Sequence, residues 1–360
     1  MQYLKKKEQP EFLTSYLKHN FTSFLDSTFN ELDMAVFAFL SYFDFKNFFL
    51  KNNKLYIKDL FDASKIDTLL NTNNKNKEVL SFFTALCSSP RFREVEILDY
   101  MQINNRKLIE QFGAVTFLLP NKILVISYRG TNTTLTGWKE DFNIAYHDIM
   151  PSQVTALDYL NKTLIKFDCV TYLVGHSKGG ALALYTYLNA NKDAMKIKGV
   201  YLFDSPGIED VNLNTLKEKG IIKKYIPTKS IVGMLFDTSS FSKIVKTDAS
   251  LIDSHSLLKW EINGNKFKSA PSLDKKIESL NDSLSHYIHD KSFKERKLVV
   301  DLFYGLLKEI STDDLNEITL KDKKKLRTLR KKYQNLDENS KIIAKTFLKE
   351  IIGTILKGLI

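Results

Sequence analysis

Cysteine is nearly absent from this chain. Cys87 and Cys169 are the only two, and Cys169 sits inside an apolar run, so no disulfide framework is expected and a reducing compartment is the natural setting. Proline and glycine are sparse as well, 7 and 14 in 360 residues, which excludes collagen-like and linker-like chains. No run reaches the roughly 18 uninterrupted apolar residues that a membrane span needs. The opening M-Q-Y-L-K-K-K-E-Q-P carries basic residues with no apolar run behind them, unlike a secretory signal. A cytoplasmic location is therefore expected. Metal-ligand spacing is missing too. His286 and His289 stand three apart on a helical pattern with no Cys or third ligand nearby, the pattern of surface residues rather than of a metal site.

What is present points to a folded core. Hydrophobic residues make up 43% and aromatics 12%, far too rich for a solvated chain. The net charge of +11 invites a nucleic-acid or acidic-membrane reading. The cations are nearly all Lys, with Arg confined to positions 91, 93, 106, 129, 296, 327 and 330. Lys, Asn, Ile and Phe together suggest an AT-rich genome rather than a phosphate-reading surface. No nucleic-acid partner is expected, and peripheral membrane contact stands as the alternative.

Three regions can be read along the chain. Residues 1–70 form an N-terminal helical segment packed on the core, residues 71–270 the core itself, and residues 271–360 a C-terminal helical extension. Residues 12–50 are helical in pattern and rich in Phe and Leu, with Asn30 placed to cap the run from 29 to 45. The polar stretch at 71–77 reads as a loop. The period then changes. Residues 114–119 and 123–128 are β-rich and separated by Pro120-Asn121-Lys122, which predicts a hairpin. A helix over 152–166, a strand over 170–174, a helix over 178–190, a strand over 199–203, a helix over 210–219 and a strand over 221–226 follow. That alternation predicts an α/β fold with a mostly parallel, doubly wound sheet, the hairpin supplying its antiparallel edge. From 271 onward the pattern is helical, with a basic stretch at 321–332.

The strongest chemical signal is Gly175-His176-Ser177-Lys178-Gly179-Gly180, after an apolar strand and before an Ala-rich helix. That is the strand–turn–helix setting of a G-x-S-x-G nucleophile elbow. The sharp turn strains the serine backbone, and the flanking glycines remove clashes. The hydroxyl of Ser177 is then exposed at the carboxyl end of the sheet, with the helix N-terminus aimed at a developing oxyanion. His176 is expected to pack behind the turn as a structural residue. A second signal is Tyr128-Arg129-Gly130-Thr131 at the end of the hairpin. An elbow of this type needs an oxyanion donor from the loop after this strand, and Thr131 and Lys178 are the candidates. The base must follow the nucleophile, which leaves His255, His286 and His289. His255, in Asp253-Ser254-His255 just before a strand-like segment with an Asn263-Gly264 turn, is favoured over the two on a helix.

These features resemble the fungal-type, class-three lipases, with an aromatic-Arg-Gly-Ser/Thr strand end, then Trp-x-x-Asp as in Gly137-Trp138-Lys139-Glu140-Asp141-Phe142, then G-H-S-x-G-G. Longer stretches are similar to the Mbeg-like bacterial hydrolases. These stretches are Leu32-Asp33 followed by Leu40-Ser41-Tyr42-Phe43-Asp44-Phe45, the Arg-Gly-Thr and Gly-Trp-Lys-Glu-Asp-Phe runs, and Lys178 where lipases place Leu. The resemblance implies an α/β-hydrolase fold and a Ser-His-acid triad, and it favours His255, which stands shortly before Trp260. It implies no particular substrate.

The acid departs from the lipase pattern. The matching stretch is Lys229-Ser230-Ile231-Val232-Gly233, and Ser230 cannot carry the charge that orients the imidazole. Three acids remain open. Asp204 ends the strand at 200–203, where pancreatic-type lipases place theirs, and is favoured over Asp237 and Asp253. The expected chemistry is attack by Ser177 on a carboxylic ester or thioester through an acyl-enzyme, with no metal or organic cofactor. An acyl-ester or lipid substrate is expected from the likeness to lipases alone, with the Phe-rich N-terminal helix shaping a pocket. The opposing reading is a catalytically weak lipid- or membrane-surface-binding protein on a hydrolase scaffold, motivated by Ser230 and the basic C-terminal helices. The segment 339–360 repeats Ile and Leu at helical spacing with Lys on the other side. It is expected to dock on the protein rather than lie in a membrane.

Overall fold

The computed structural model describes residues 9–49, 54–62, 66–70, 76–105, 107–108, 110–131, 149–208, 211, 220–230, 232–234, 242–250, 253–275, 277–278 and the single positions 331, 334, 338 and 341. The expected helix at 210–219, the acid candidate Asp237, the pair His286 and His289, and the segment 339–360 lie wholly or almost wholly outside them.

Seven strands form one sheet in sequential order: β1 (Glu96–Asn105), β2 (Glu110–Leu118), β3 (Leu124–Tyr128), β4 (Thr171–His176), β5 (Ile197–Phe203), β6 (Ile222–Pro227) and β7 (Lys243–Val245). The first two pairings are antiparallel and the remaining four parallel. A separate hairpin, β8 (Ile262–Asn263) with β9 (Lys266–Phe267), turns at Asn263-Gly264, where Gly264 has φ +60°. The parallel interior explains the unbroken apolar runs, since β3 is buried along its whole length and both faces of such strands are covered.

The predicted antiparallel edge is wider than the one hairpin. β1 pairs with β2 over most of its length, yet its residues Glu-Ile-Leu-Asp-Tyr-Met-Gln-Ile-Asn-Asn are mostly half-exposed. An edge strand needs no apolar face pattern, so periodicity passed over it. Residues 12–50 are three helical pieces rather than one run: α1 (Leu13–His19), α2 (Glu31–Leu40) and a single turn at Lys46–Phe49. Within the stretch expected as a loop, Asn76 caps α3 (Lys77–Ser88) by accepting from the N–H groups of Glu78 and Val79.

Side chains alternate across the sheet and build two core layers. Ala114, Leu124, Ile126, Leu173, Val200 and Leu202 face α4 (Pro151–Lys166) and α5 (Lys178–Asn189), with Tyr159, Leu160, Leu164 and Leu182 in the same layer. Val115, Phe117, Val125, Val174, Tyr201 and Phe203 face the other way and meet Leu32, Val36, Phe37 and Leu40 of α2. The crossover helices thus cover one face, and the N-terminal segment covers the other. The phenylalanines expected to shape a substrate pocket belong instead to this core. Phe37 packs 5.0 Å from Phe117 and 5.5 Å from Phe92, ring centre to ring centre. Their correct role follows from the face they share with the sheet.

The position of α2 is fixed at both ends. Asn30 and Asp33 form a capping box at its start. Asp33 is fully buried and also receives Arg91 in a two-pronged ion pair, Nε to Oδ1 at 2.7 Å and Nη2 to Oδ2 at 2.6 Å, and the Tyr16 hydroxyl at 2.7 Å. Arg91 spends its remaining donors on the carbonyls of Thr22 and Thr28 and on Ser27 Oγ. Glu31 accepts from Lys243 Nζ, the Tyr225 hydroxyl and the Phe267 N–H, tying the same end to β6, β7 and β9. At the other end the Ser127 hydroxyl donates to the Phe37 carbonyl at 2.8 Å. Removing one partner of a buried pair leaves an uncompensated charge and costs about 3–5 kcal/mol. Asp33→Asn is expected to destabilise by that amount in urea denaturation, and a loss below about 1 kcal/mol would show that the pair does not hold α2.

Candidate active site

Ser177 stands between β4 and α5 with φ +57° and ψ −134°, a backbone region that non-glycine residues avoid unless the surroundings enforce it. What enforces it is close backbone crossing. A Cβ on Gly175 would overlap the backbone of Gly179, and one on Gly179 would overlap the Tyr128 carbonyl. The glycines two residues either side of Ser177 therefore let β4, α5 and the end of β3 meet without side chains between them. Ser177 is buried and its N–H donates to the Phe203 carbonyl at 2.9 Å.

The loop after β3 reaches the same point. A Cβ built on Gly130 would lie 3.0 Å from Ser177 Cβ and 2.6 Å from the His176 carbonyl, and would overlap the Tyr42 hydroxyl. Thr131 follows directly and is half-buried. Lys178 opens α5, where the first N–H groups have no acceptor within the helix. Its side chain is buried and donates from Nζ to the Gln111 carbonyl at 2.8 Å.

His255 closes a short helical turn, Asp253–His255. That turn is anchored by Trp260, which is fully buried, stacks edge-on with Phe267 at 5.3 Å, and donates from Nε1 to the Ser254 carbonyl at 2.8 Å. The imidazole Nδ1 lies 2.6 Å from Asp204 Oδ2. Asp204 ends β5 with φ +42° and is 1% exposed. Its other oxygen accepts from the Ser230 hydroxyl and from the Gly233 N–H at 3.1 Å. Burial works against the carboxylate, but the hydrogen bonds from His255 and Ser230 outweigh it and hold its pKa below the ordinary value. Ser230, at the position where the lipase pattern has an acid, thus donates to the Asp204 carboxylate at the end of the neighbouring strand. Asp253 turns away, accepting from the Ser250 hydroxyl at 2.8 Å.

His176 does more than pack behind the turn. Its Nε2 lies 2.7 Å from the His255 carbonyl and its Nδ1 2.8 Å from the Tyr42 hydroxyl. The Ser177 hydroxyl makes no hydrogen bond to His255 among the described residues. The residue before Ser177, His176, meets the His255 backbone, and its ring centre is 4.4 Å from that of His255. Hydrogen bonds of this kind are often loose without substrate. Tyr42, the bridging by His176 and the donor role of Ser230 were invisible to motif reading, although Tyr42 lies in the Leu-Ser-Tyr-Phe-Asp-Phe run that carries the family resemblance. Both cysteines are free, and burial pushes the Cys87 thiol up to about 12.

Burial, reinforced by the neighbouring His255, pushes the His176 imidazole down to about 3. An unfolded histidine takes up its proton near pH 6.5. Between these values the unfolded chain holds a proton that the native protein does not, so stability falls as pH drops through this window. His176 alone is expected to remove about 2 kcal/mol between pH 6.5 and 5. Urea denaturation at pH 7 and pH 5 should show a larger drop for the wild type than for His176→Gln. Equal drops would mean that His176 is not buried neutral.

A family model described as Mbeg1-like matches residues 86–305. No curated protein matches the sequence. Among solved structures, the chain is similar to the M37 lipase at 18% identity, over 58% of this chain and 70% of that one, with a TM-score of 0.37. It is similar to the Lip2 lipase from Yarrowia lipolytica at 15% identity, over 49% of this chain and 72% of that one, with a TM-score of 0.32. It is also similar to the Rhizomucor miehei lipase in its propeptide complex at 16% identity, over 44% of this chain, with a TM-score of 0.32, and spans 58% of that lipase's length.

Proposed function

The chain belongs to the Mbeg1-like family, and from that premise and the geometry of the Ser177 turn we propose that it is a serine hydrolase acting on a carboxylic ester or thioester. The observation that carries this reading is the 2.6 Å contact between His255 Nδ1 and the buried Asp204 carboxylate beside a strained, glycine-flanked serine. In this reading His255 Nε2 takes the Ser177 proton as Oγ attacks the carbonyl carbon. The oxyanion that forms is held by the N–H groups of Thr131 and Lys178. The imidazolium then protonates the departing alcohol or thiol, leaving an acyl-enzyme that a water, activated by the same histidine, hydrolyses. Asp204 keeps Nδ1 protonated so that Nε2 faces the reaction, and it stabilises the imidazolium. No metal or organic cofactor enters these steps. The acyl-ester class of substrate is carried over from the lipase resemblance.

Residues 1–70, 71–270 and 271–360 are proposed as N-terminal segment, catalytic core and C-terminal extension. The cytoplasm is the proposed location, and the segment 339–360 is proposed to dock on the core.

A fluorophosphonate probe tests the reading. Ser177 is expected to label, and Ser177→Ala to stay silent while folding normally. A folded wild type that does not label would sink the hydrolase reading and leave a binding scaffold. Asp204→Asn is expected to lower kcat by about 10⁴, the scale of a wrongly held imidazole tautomer, whereas Asp253→Asn is expected to stay near wild type. A p-nitrophenyl ester assay separates them.

A further inference from the structure

The His255 carbonyl can only accept a hydrogen bond, so the His176 Nε2 that meets it at 2.7 Å must carry a proton. A neutral ring then presents a lone pair at Nδ1, and the Tyr42 hydroxyl 2.8 Å away must donate to it. The tautomer of His176 is therefore set by the His255 carbonyl, and the matching donor at Nδ1 is Tyr42, from just beyond the C-terminal end of α2. The two histidines form a chain of contacts, Tyr42 to His176 to the backbone of His255, and from the His255 ring to Asp204. His255 is the exposed member, with 34% of its side chain open to solvent, and it sits on a turn of three residues. Asp204 holds one ring nitrogen. Nothing in that bond fixes the backbone from which the ring swings.

We propose that His176 is a positioning residue for His255, and that Tyr42, by donating to Nδ1 and so orienting the His176 ring, makes the N-terminal segment part of the catalytic arrangement. The inference rests on the hydrolase reading of Ser177 and His255. The geometry explains why an imidazole stands before the serine. The neutral ring offers a donor to the carbonyl on one side and an acceptor to the hydroxyl on the other. Burial keeps it neutral through the ordinary pH range. Losing the donor removes one of the bonds that hold the His255 turn, and a displacement of about 1 Å at a reacting group lowers turnover by up to roughly a hundredfold.

The experiment compares wild type with His176→Gln, His176→Leu and Tyr42→Phe. Turnover is normalised to serine titrated by the fluorophosphonate, so that unfolded protein does not count. Gln retains a donor near the Nε2 position, Leu retains none, and Phe removes only the hydroxyl that donates to Nδ1 and orients the ring. His176→Leu is expected to lose about tenfold to a hundredfold in kcat per titrated serine, with KM within about twofold. His176→Gln is expected to recover most of that loss, and Tyr42→Phe to fall between. A His176→Leu enzyme with wild-type kcat per serine, or a Gln variant no better than Leu, overturns the proposal. If His176→Leu does not fold, Tyr42→Phe decides, and wild-type turnover there overturns it. The downfield proton resonance of the His255–Asp204 hydrogen bond gives a readout that needs no turnover. It is expected to be sharp in wild type and lost or broadened in Tyr42→Phe and His176→Leu. Should the wild-type serine fail to label, the hydrolase reading fails, while the resonance still reports whether His176 holds His255.

Discussion

One buried carboxylate, that of Asp33, organises the layer on which the site depends. It closes the capping box of α2, receives both prongs of Arg91, and accepts the Tyr16 hydroxyl. A buried charge survives only when its partners are complete, so the carboxylate couples three segments that also share one apolar core through Leu17, Phe37 and Phe92. Once α2 is fixed, its apolar face determines how the sheet is covered, and its last turn determines where Tyr42 stands. The site is therefore assembled from two directions: from the carboxyl ends of β3, β4 and β5, and from the helix laid across them.

Strain is concentrated where those directions meet. Three non-glycine residues among those described have positive φ: Lys122, Ser177 and Asp204. Lys122 belongs to the β2–β3 turn, an ordinary place for such a conformation. The other two follow adjacent strands and are two of the three residues of the proposed triad. A serine or aspartate holds such a backbone only when its neighbours over-determine it. At Ser177 these are the crossing glycines and the bond to the Phe203 carbonyl, and at Asp204 the bond to the Tyr225 carbonyl. The two strained residues are also linked across the sheet, since Ser177 bonds to the residue immediately before Asp204.

The parts legible in the sequence were those enforced locally. The elbow could be read because its backbone demands glycine at fixed offsets. The strands from β3 to β5 could be read because burial on two faces leaves largely apolar runs. Asn30 could be read because a cap must precede its helix. What escaped was either weakly patterned or non-local. β1 is a half-exposed edge, and β7 has three residues, too short to show a period. Ser230 stands where the lipase pattern has an acid, and its partner Asp204 lies 26 residues away on another strand end. A hydroxyl that cannot hold charge can still donate to the carboxylate on the next strand. His176 read as packing because both its partners are distant in the chain, one in the N-terminal segment and one in the loop before Trp260.

The packing of α2 also sets a schedule. Its apolar face is made early in synthesis, yet the residues it covers, Val174 on β4, Phe203 on β5 and Trp260, come far later in the chain. At about 5–20 residues per second, that interval is on the order of ten seconds or more. Through that time Leu32, Val36, Phe37 and Leu40 have no sheet to lie on. The nascent chain carries an uncovered aromatic and aliphatic surface until the last parallel strands emerge from the ribosome. Slow passage through that stage favours capture by a holding chaperone, so recoverable yield depends on expression temperature and translation speed more than the finished molecule would suggest.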